Sequence, residues 1–216
     1  MADPVQAVVF DYGGVMTNSI KSIVGGWLQR DGIDPESFNE AMRDWLGAGA
    51  PEGNPVHLLE TGELPIEEFD EHLAGRLRTI DGGPVDSRGL SESLFMGMVP
   101  DEGMFELVDE LRTQGLGVGL LSNSWGNGYP RARLDAAFDV VVISGEVRMR
   151  KPNLDIYQHC LAGMAVAGGS TVFVDDAEQN VQGALLAGMR AIRHAGEQAT
   201  RTQLASLGLT IRTAPG

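Results

Sequence analysis

Short apolar runs that stop abruptly at chemically active residues constrain this chain more than any other feature of its sequence. Residues 5–10 are mostly apolar and rich in β-branched side chains, and they end at Asp11 before the turn Tyr12-Gly13-Gly14. Residues 116–121 run into Ser122-Asn123-Ser124, residues 138–143 form a third run, and residues 171–174 stop at Asp175-Asp176. Residues 189–192 are a weaker fifth. Continuous apolar stretches of this length read as strands buried on both faces, as in a parallel sheet.

Helical patterns lie between the runs. After Asp101, the residues Met104, Phe105, Leu107, Val108 and Leu111 recur at helical spacing, and Gly115 closes the segment. Residues 154–164 and 177–187 repeat the arrangement. Such alternation with short links predicts an α/β fold, a right-handed, doubly wound (Rossmann-like) parallel sheet. Residues 16–92 break the rhythm. They hold no convincing strand, only helical stretches near 20–30, 35–46, 66–80 and 88–95, separated by turn-rich pieces at 47–55 and 81–84. The expected organisation is a core of residues 1–15 and 93–216, with a helical insertion at 16–92 after the first strand.

Composition narrows the function. Among 216 residues, 16 Lys and Arg stand against 30 Asp and Glu, a net charge of −14. That balance argues against a nucleic-acid or anionic-membrane surface, since both need a positive footprint. An anionic substrate then needs a local positive site or a metal. Cys160 is the only cysteine, so no intrachain disulfide forms and a reducing cytoplasm is the expected setting. The opening MADPVQAVVF lacks the basic start and long apolar stretch of a secretory signal. No apolar run approaches the ~18 residues of a membrane span.

Open α/β sheets bind ligands beyond the carboxyl ends of their strands. Asp11, Ser122, Asn123, Asp175 and Asp176 stand at those ends, and Lys151 follows the third run by eight residues. Each has an ordinary role when taken alone. An Asp at a strand end is commonly a turn residue or cap, Ser122 can cap the next segment, and Lys151 can be a solvated lysine. Their combination in this order is much rarer.

That order resembles the haloacid dehalogenase superfamily, and the resemblance covers the whole chain. Phe10-Asp11-Tyr12-Gly13-Gly14-Val15 is similar to its first motif and Leu120-Leu121-Ser122-Asn123 to its second. Lys151-Pro152 resembles the third, and the stretch from Val172 through Asp175-Asp176 to Asn180 the fourth. The wording looks closest to the branch resembling the N-terminal phosphatase domain of epoxide hydrolases. The insertion at 16–92 then corresponds to a helical cap.

The resemblance implies a magnesium-dependent phosphatase that acts on a small phosphorylated metabolite through an aspartyl-phosphate on Asp11. It makes Asp11, the Gly13 carbonyl, Asp176 and, as an auxiliary, Asp175 the ligands of Mg2+, an ion that prefers oxygen. Ser122 and Lys151 hold phosphate, helped by backbone N–H groups at Tyr12, Gly13 and Asn123. Asn180 either orients Asp176 or a metal-bound water, or is an ordinary exposed helix residue. The oligomeric state stays open.

One position departs from the pattern. Phosphatases of this superfamily usually carry a second aspartate two residues after the nucleophile, and this chain has Gly13. A positioned general acid is typically worth ~10²–10⁴-fold in rate. Three readings follow: a substrate whose leaving group needs little protonation, a substitute acid such as His57 or His72, or a phospho-ligand-binding or interaction protein with little turnover. A dehalogenase is the lesser alternative, because Asp175-Asp176 would then have no metal to hold. Trp27 and Trp45 read as packing residues, and Trp125 stands near enough to the second motif to touch substrate. Thr17, Asn18 and Ser19 sit at the first hinge, where they either cap the next helix or reach the leaving group, and Arg131, Arg133, Arg148 and Arg150 read as solvated.

Overall fold

A computed structural model describes residues 3–47, 49–126 and 128–212. Five strands form one parallel sheet: β1 (Ala7–Phe10), β2 (Gly117–Ser122), β3 (Val140–Ile143), β4 (Thr171–Asp175) and β5 (Arg190–Arg193). Their order is β3-β2-β1-β4-β5, with every neighbouring pair parallel. The chain steps outward from β1 to β2 and β3, then returns to the other side of β1 for β4. Such a reversal opens a crevice at the carboxyl ends of the central strands. Asp11 and Asp175 stand there.

Side chains alternate across the sheet, as strand geometry requires. Val8 and Phe10 face one apolar layer with α6 (Glu102–Thr113), α7 (Arg131–Ala137) and α11 (Glu197–Ser206), through Met104, Leu107, Leu111, Leu134 and Leu204. Val9, Leu121 and Phe173 face the other layer with α9 (Leu154–Met164) and α10 (Glu178–Leu186), through Ile156, Tyr157, Cys160 and Ala184. A four-residue turn of helix, α8 (Ser144–Val147), follows β3 directly.

Between β1 and α6 lie α1 (Ile20–Asp31), α2 (Pro35–Leu46), α3 (Pro55–Glu60), α4 (Ile66–Ala74) and α5 (Leu90–Phe95). They surround an apolar cluster of their own that includes Trp27, Phe38, Trp45, Phe69 and Leu73. Local chemistry starts these helices. The Ser19 hydroxyl accepts from Ser22 N–H, Asp34 accepts from Glu36 and Ser37 N–H, and Asn54 accepts from Val56 and His57 N–H. Pro35 and Pro55 take the first helical position, where a missing N–H costs nothing.

The two chain crossings into this insertion are tied together. Thr17 bridges Pro100, Asn18 Nδ2 donates to the Gly97 carbonyl, and Asn18 Oδ1 accepts from Val99 N–H. Ser19 caps the helix, as the sequence suggests, while Asn18 fastens the two crossings to each other.

Several elements depart from the expectation. The stretch at 66–80 is helical only through Ala74, because beyond it Arg78 and Thr79 join short antiparallel bridges with Pro84 and Ile33. The turn-rich piece at 47–55 leads into α3, which the turn residues concealed. The helices α7, α8 and α11 were also not expected; they are short or largely polar. No helix among the described residues is long and apolar enough to cross a membrane.

Candidate active site

β1 and β4 run side by side, with Phe10 opposite Val174, so the residues that follow them emerge together. Asp11, Asp175 and Asp176 each offer a carboxylate oxygen within 4.8 Å of the others. Lys151 enters from the loop after α8. Its buried Nζ lies 2.8 Å from Asp11 Oδ1 and 2.7 Å from Asp175 Oδ2. One ammonium thus serves two buried carboxylates, with a third beside them.

The three acids have different surroundings. Asp11 Oδ1 accepts from Tyr12 N–H at 2.7 Å as well as from Lys151, which fixes the carboxylate plane. Asp175 is saturated with donors: Lys151, Ala177 N–H at 2.8 Å, and Asn180 Nδ2 at 3.1 Å from both oxygens. Asp176 is half-buried and forms no ion pair among the described residues. Burial raises Asp11 most, Lys151 opposes it, and repulsion from Asp175 and Asp176 adds to it, so that together they push the carboxyl up to about 8. Burial and then Asp175 raise Asp176. Burial pulls Lys151 down, but Asp11 and Asp175 outweigh it and raise the ammonium above its ordinary value.

An all-oxygen donor set with surplus negative charge suits a hard divalent cation. Asp11 and Asp176 are the acids with oxygens to give, and Asp175 is already committed to its donors. The loop after β1 is shaped for this approach. Gly14 has φ +78°, and a Cβ there would lie 2.5 Å from Asp176 Oδ2. Gly13 is different: its φ is ordinary, and an added Cβ would meet only the terminal methyl of Ile20, at 3.2 Å.

Ser122 closes β2, and its buried hydroxyl lies 2.9 Å from the Tyr129 hydroxyl. Tyr129 also donates to the Asn123 carbonyl at 3.2 Å and packs against the Tyr12 ring at 5.2 Å. Burial raises the Tyr129 phenol above its ordinary value, so it remains a neutral donor. Asn123 joins the two loops that flank the site: its Nδ2 donates to the Lys151 carbonyl at 3.0 Å, and its Oδ1 accepts from Lys151 N–H at 2.9 Å.

Strand-end carboxylates, a serine and a buried lysine in this arrangement accord with a match that spans most of the chain. Residues 5–188 match the model of the haloacid dehalogenase-like hydrolase family. The chain belongs to the haloacid dehalogenase-like hydrolase family. A phosphatase of Mycobacterium tuberculosis is 30% identical over 87% of this chain and 86% of its own length. Mouse acyl-CoA dehydrogenase family member 10 is 26% identical over 87% of this chain, which spans only 18% of that protein. Among solved structures, a haloacid dehalogenase family enzyme of Bacteroides thetaiotaomicron, in complex with magnesium and inorganic phosphate, is 20% identical. It superposes with a TM-score of 0.62, covering 89% of this chain and 96% of its own.

Within this hydrolase, several residues differ from their sequence reading. Asn180 contacts Asp175, not Asp176, because α10 turns its first buried side chain back toward β4. Arg150 is not solvated; it is buried against Glu60 of α3, with Nε 2.6 Å from Oε2. Trp125 Nε1 donates to Glu60 Oε1 at 3.3 Å, and its ring packs on Phe69 and Phe95, so it serves the insertion. His72 is exposed on α4. His57 lines a cavity of about 170 Å3 with Arg150, Pro152 and Gln179. Tyr129 and Glu60 were missed. Tyr129 carries no motif signal, and Glu60 ends a helix, α3, that the sequence reading did not find.

Replacing Lys151 by Met keeps most of its unbranched stem and removes the charge between Asp11 and Asp175. Leaving buried ions unpaired typically costs about 3–5 kcal/mol. Urea unfolding of Lys151→Met should show a loss of that order at neutral pH, while a loss below about 1 kcal/mol would contradict the pairing described.

Proposed function

We propose that this hydrolase is a magnesium-dependent phosphatase of small phosphorylated metabolites, with Asp11 as nucleophile. The observation that carries the reading is the convergence of Asp11, Asp175 and Asp176 around the Lys151 ammonium at the sheet's carboxyl edge. The similar phosphatase of M. tuberculosis and the fold shared with an enzyme that binds magnesium and phosphate support it.

Asp11, the Gly13 carbonyl and Asp176 would hold Mg2+, with Asp175 behind them as the anchor of Lys151. Magnesium bound there would neutralise charge between the nucleophile and the phosphoryl group. The chain's own groups do the rest. Tyr12 N–H and Lys151 hold one Asp11 oxygen, which leaves the other to face phosphorus. Its lone pair forms the O–P bond as the bond from phosphorus to the substrate oxygen breaks, giving an aspartyl-phosphate and an alkoxide. The alkoxide takes a proton from solvent; water then attacks phosphorus, gives a proton back to solvent as the bond to Asp11 breaks, and leaves free Asp11 and inorganic phosphate. Ser122, with Tyr129 behind it, and Lys151 stabilise charge on the phosphoryl oxygens. Helices α1–α5 act as the cap that covers the site.

Gly13 leaves the departing oxygen without the usual acid, and Ile20 stands against that position. This apolar neighbour favours a substrate with a good leaving group. It equally supports the second reading, a phosphate-binding protein with little turnover.

A panel of phosphate esters assayed with and without Mg2+ separates these readings. The phosphatase reading predicts phosphate release that needs Mg2+ and falls by about 10³-fold or more in Asp11→Asn. Tight phosphate binding with no release for any ester would support the second reading. Gly13→Asp tests the missing acid, because the backbone there accepts a side chain and the Ile20 methyl can move. Turnover of poor leaving groups should rise by at least about tenfold, within the range for a general acid. No gain, with the variant folded, would mean that another group already supplies the proton.

A further inference from the structure

Glu60 is the last residue of α3, and every polar atom beyond its backbone N–H reaches across to the core. Its Oε2 accepts from Arg150 Nε at 2.6 Å and its Oε1 from Trp125 Nε1 at 3.3 Å. Its carbonyl accepts from Ser144 Oγ at 2.5 Å, and that hydroxyl in turn accepts from Ser124 N–H at 2.7 Å. Two residues on, Gly62 packs so closely on Gly145 that an added Cβ would lie 2.8 Å from its carbonyl oxygen. Glu60 is 5% exposed and Arg150 9%.

These contacts fall on two core segments only, 122–126 after β2 and 144–151 after β3. The same segments carry Ser122, Asn123 and Lys151. Arg150 directly precedes Lys151, Trp125 follows Asn123 by two residues, and Asn123 already stitches the two segments together. We propose that Glu60 is a positioning residue supplied by the insertion, which holds the two phosphate-side segments in register, so that the phosphate site is complete only while α3 is seated. The proposal rests on the assignment of Ser122, Asn123 and Lys151 to phosphate.

The energetics suit a latch. Burial raises the Glu60 carboxyl above its ordinary value, while the Arg150 charge and the hydrogen bonds from Arg150 and Trp125 draw it back down. Lifting α3 would break the Arg150 pair and the hydrogen bonds from Trp125 and Ser144 together. With the Thr17–Pro100 bridge and the Asn18 clamp, the insertion is fastened at two well-separated points in sequence.

The test uses inorganic phosphate with Mg2+ as the probe, titrated calorimetrically into the full chain and into Glu60→Gln, Glu60→Ala and Trp125→Phe, well below each melting temperature. Glu60→Gln retains shape and guards against a variant that fails to fold. Expected is a loss of phosphate affinity of about 10- to 100-fold in Glu60→Ala, usual when a group that orients site residues is removed, and a smaller loss in Glu60→Gln. Amide exchange should quicken in segments 122–126 and 144–151 but not at the Asn18 clamp. Adding Arg150→Met to Glu60→Ala should cost little more, because the pair is already broken. A wild-type chain that binds phosphate, with folded Glu60 variants of equal affinity and only lower melting temperatures, overturns this proposal alone. A wild-type chain that ignores phosphate overturns it together with the phosphate assignment.

Discussion

The ammonium of Lys151, buried between Asp11 and Asp175, is the interaction on which the rest of this molecule depends. Three carboxylates brought to one buried edge repel one another, and burial raises Asp11 and Asp176 above the ordinary carboxylate range. A single fixed cation in their midst opposes that repulsion and fixes where the Asp11 and Asp175 oxygens point. The remaining negative charge is what a divalent cation and then a phosphate ester would meet. An overall charge of −14 is therefore compatible with an anionic substrate, because the local field is set by four residues.

Topology makes that arrangement possible. β1 sits at the centre of the sheet with β2 on one side and β4 on the other, so three chain segments release their end residues into one crevice. Lys151 comes from a fourth segment, and Asn123 ties its backbone to the end of β2. The insertion contributes to the same edge through Glu60, whose charge the core's Arg150 satisfies under a protein surface. Core and insertion keep separate apolar clusters but share this polar seam.

Much of the fold was legible because strands buried on both faces leave unmistakable apolar runs. All five strands lie where those runs predicted, within one to two residues. The residues at the strand ends were legible for the same reason: a strand's last residue has a fixed place in the sheet, so Asp11, Ser122 and Asp175 had to share an edge. What escaped depended on contacts between distant segments. Nothing near Arg150 in sequence says that an acid 90 residues away will cover it. Tyr129 lies in a loop, and only folding brings its hydroxyl to Ser122. Asn180 was read one residue off, since helical spacing gives its face but not which of two adjacent carboxylates it meets. The short helices α3, α7 and α8 were hidden by turn residues or by having too few positions for a period to show.

The central claim is that the Asp11 carboxylate, held by Tyr12 and Lys151, attacks phosphorus itself. Borohydride trapping of the acid-quenched protein during turnover, followed by peptide mass mapping, tests it most directly. The account predicts conversion of residue 11 to homoserine in the presence of substrate and Mg2+, and none when either is omitted. Steady phosphate release with residue 11 unmodified, or with the trapped group on another side chain, would contradict it.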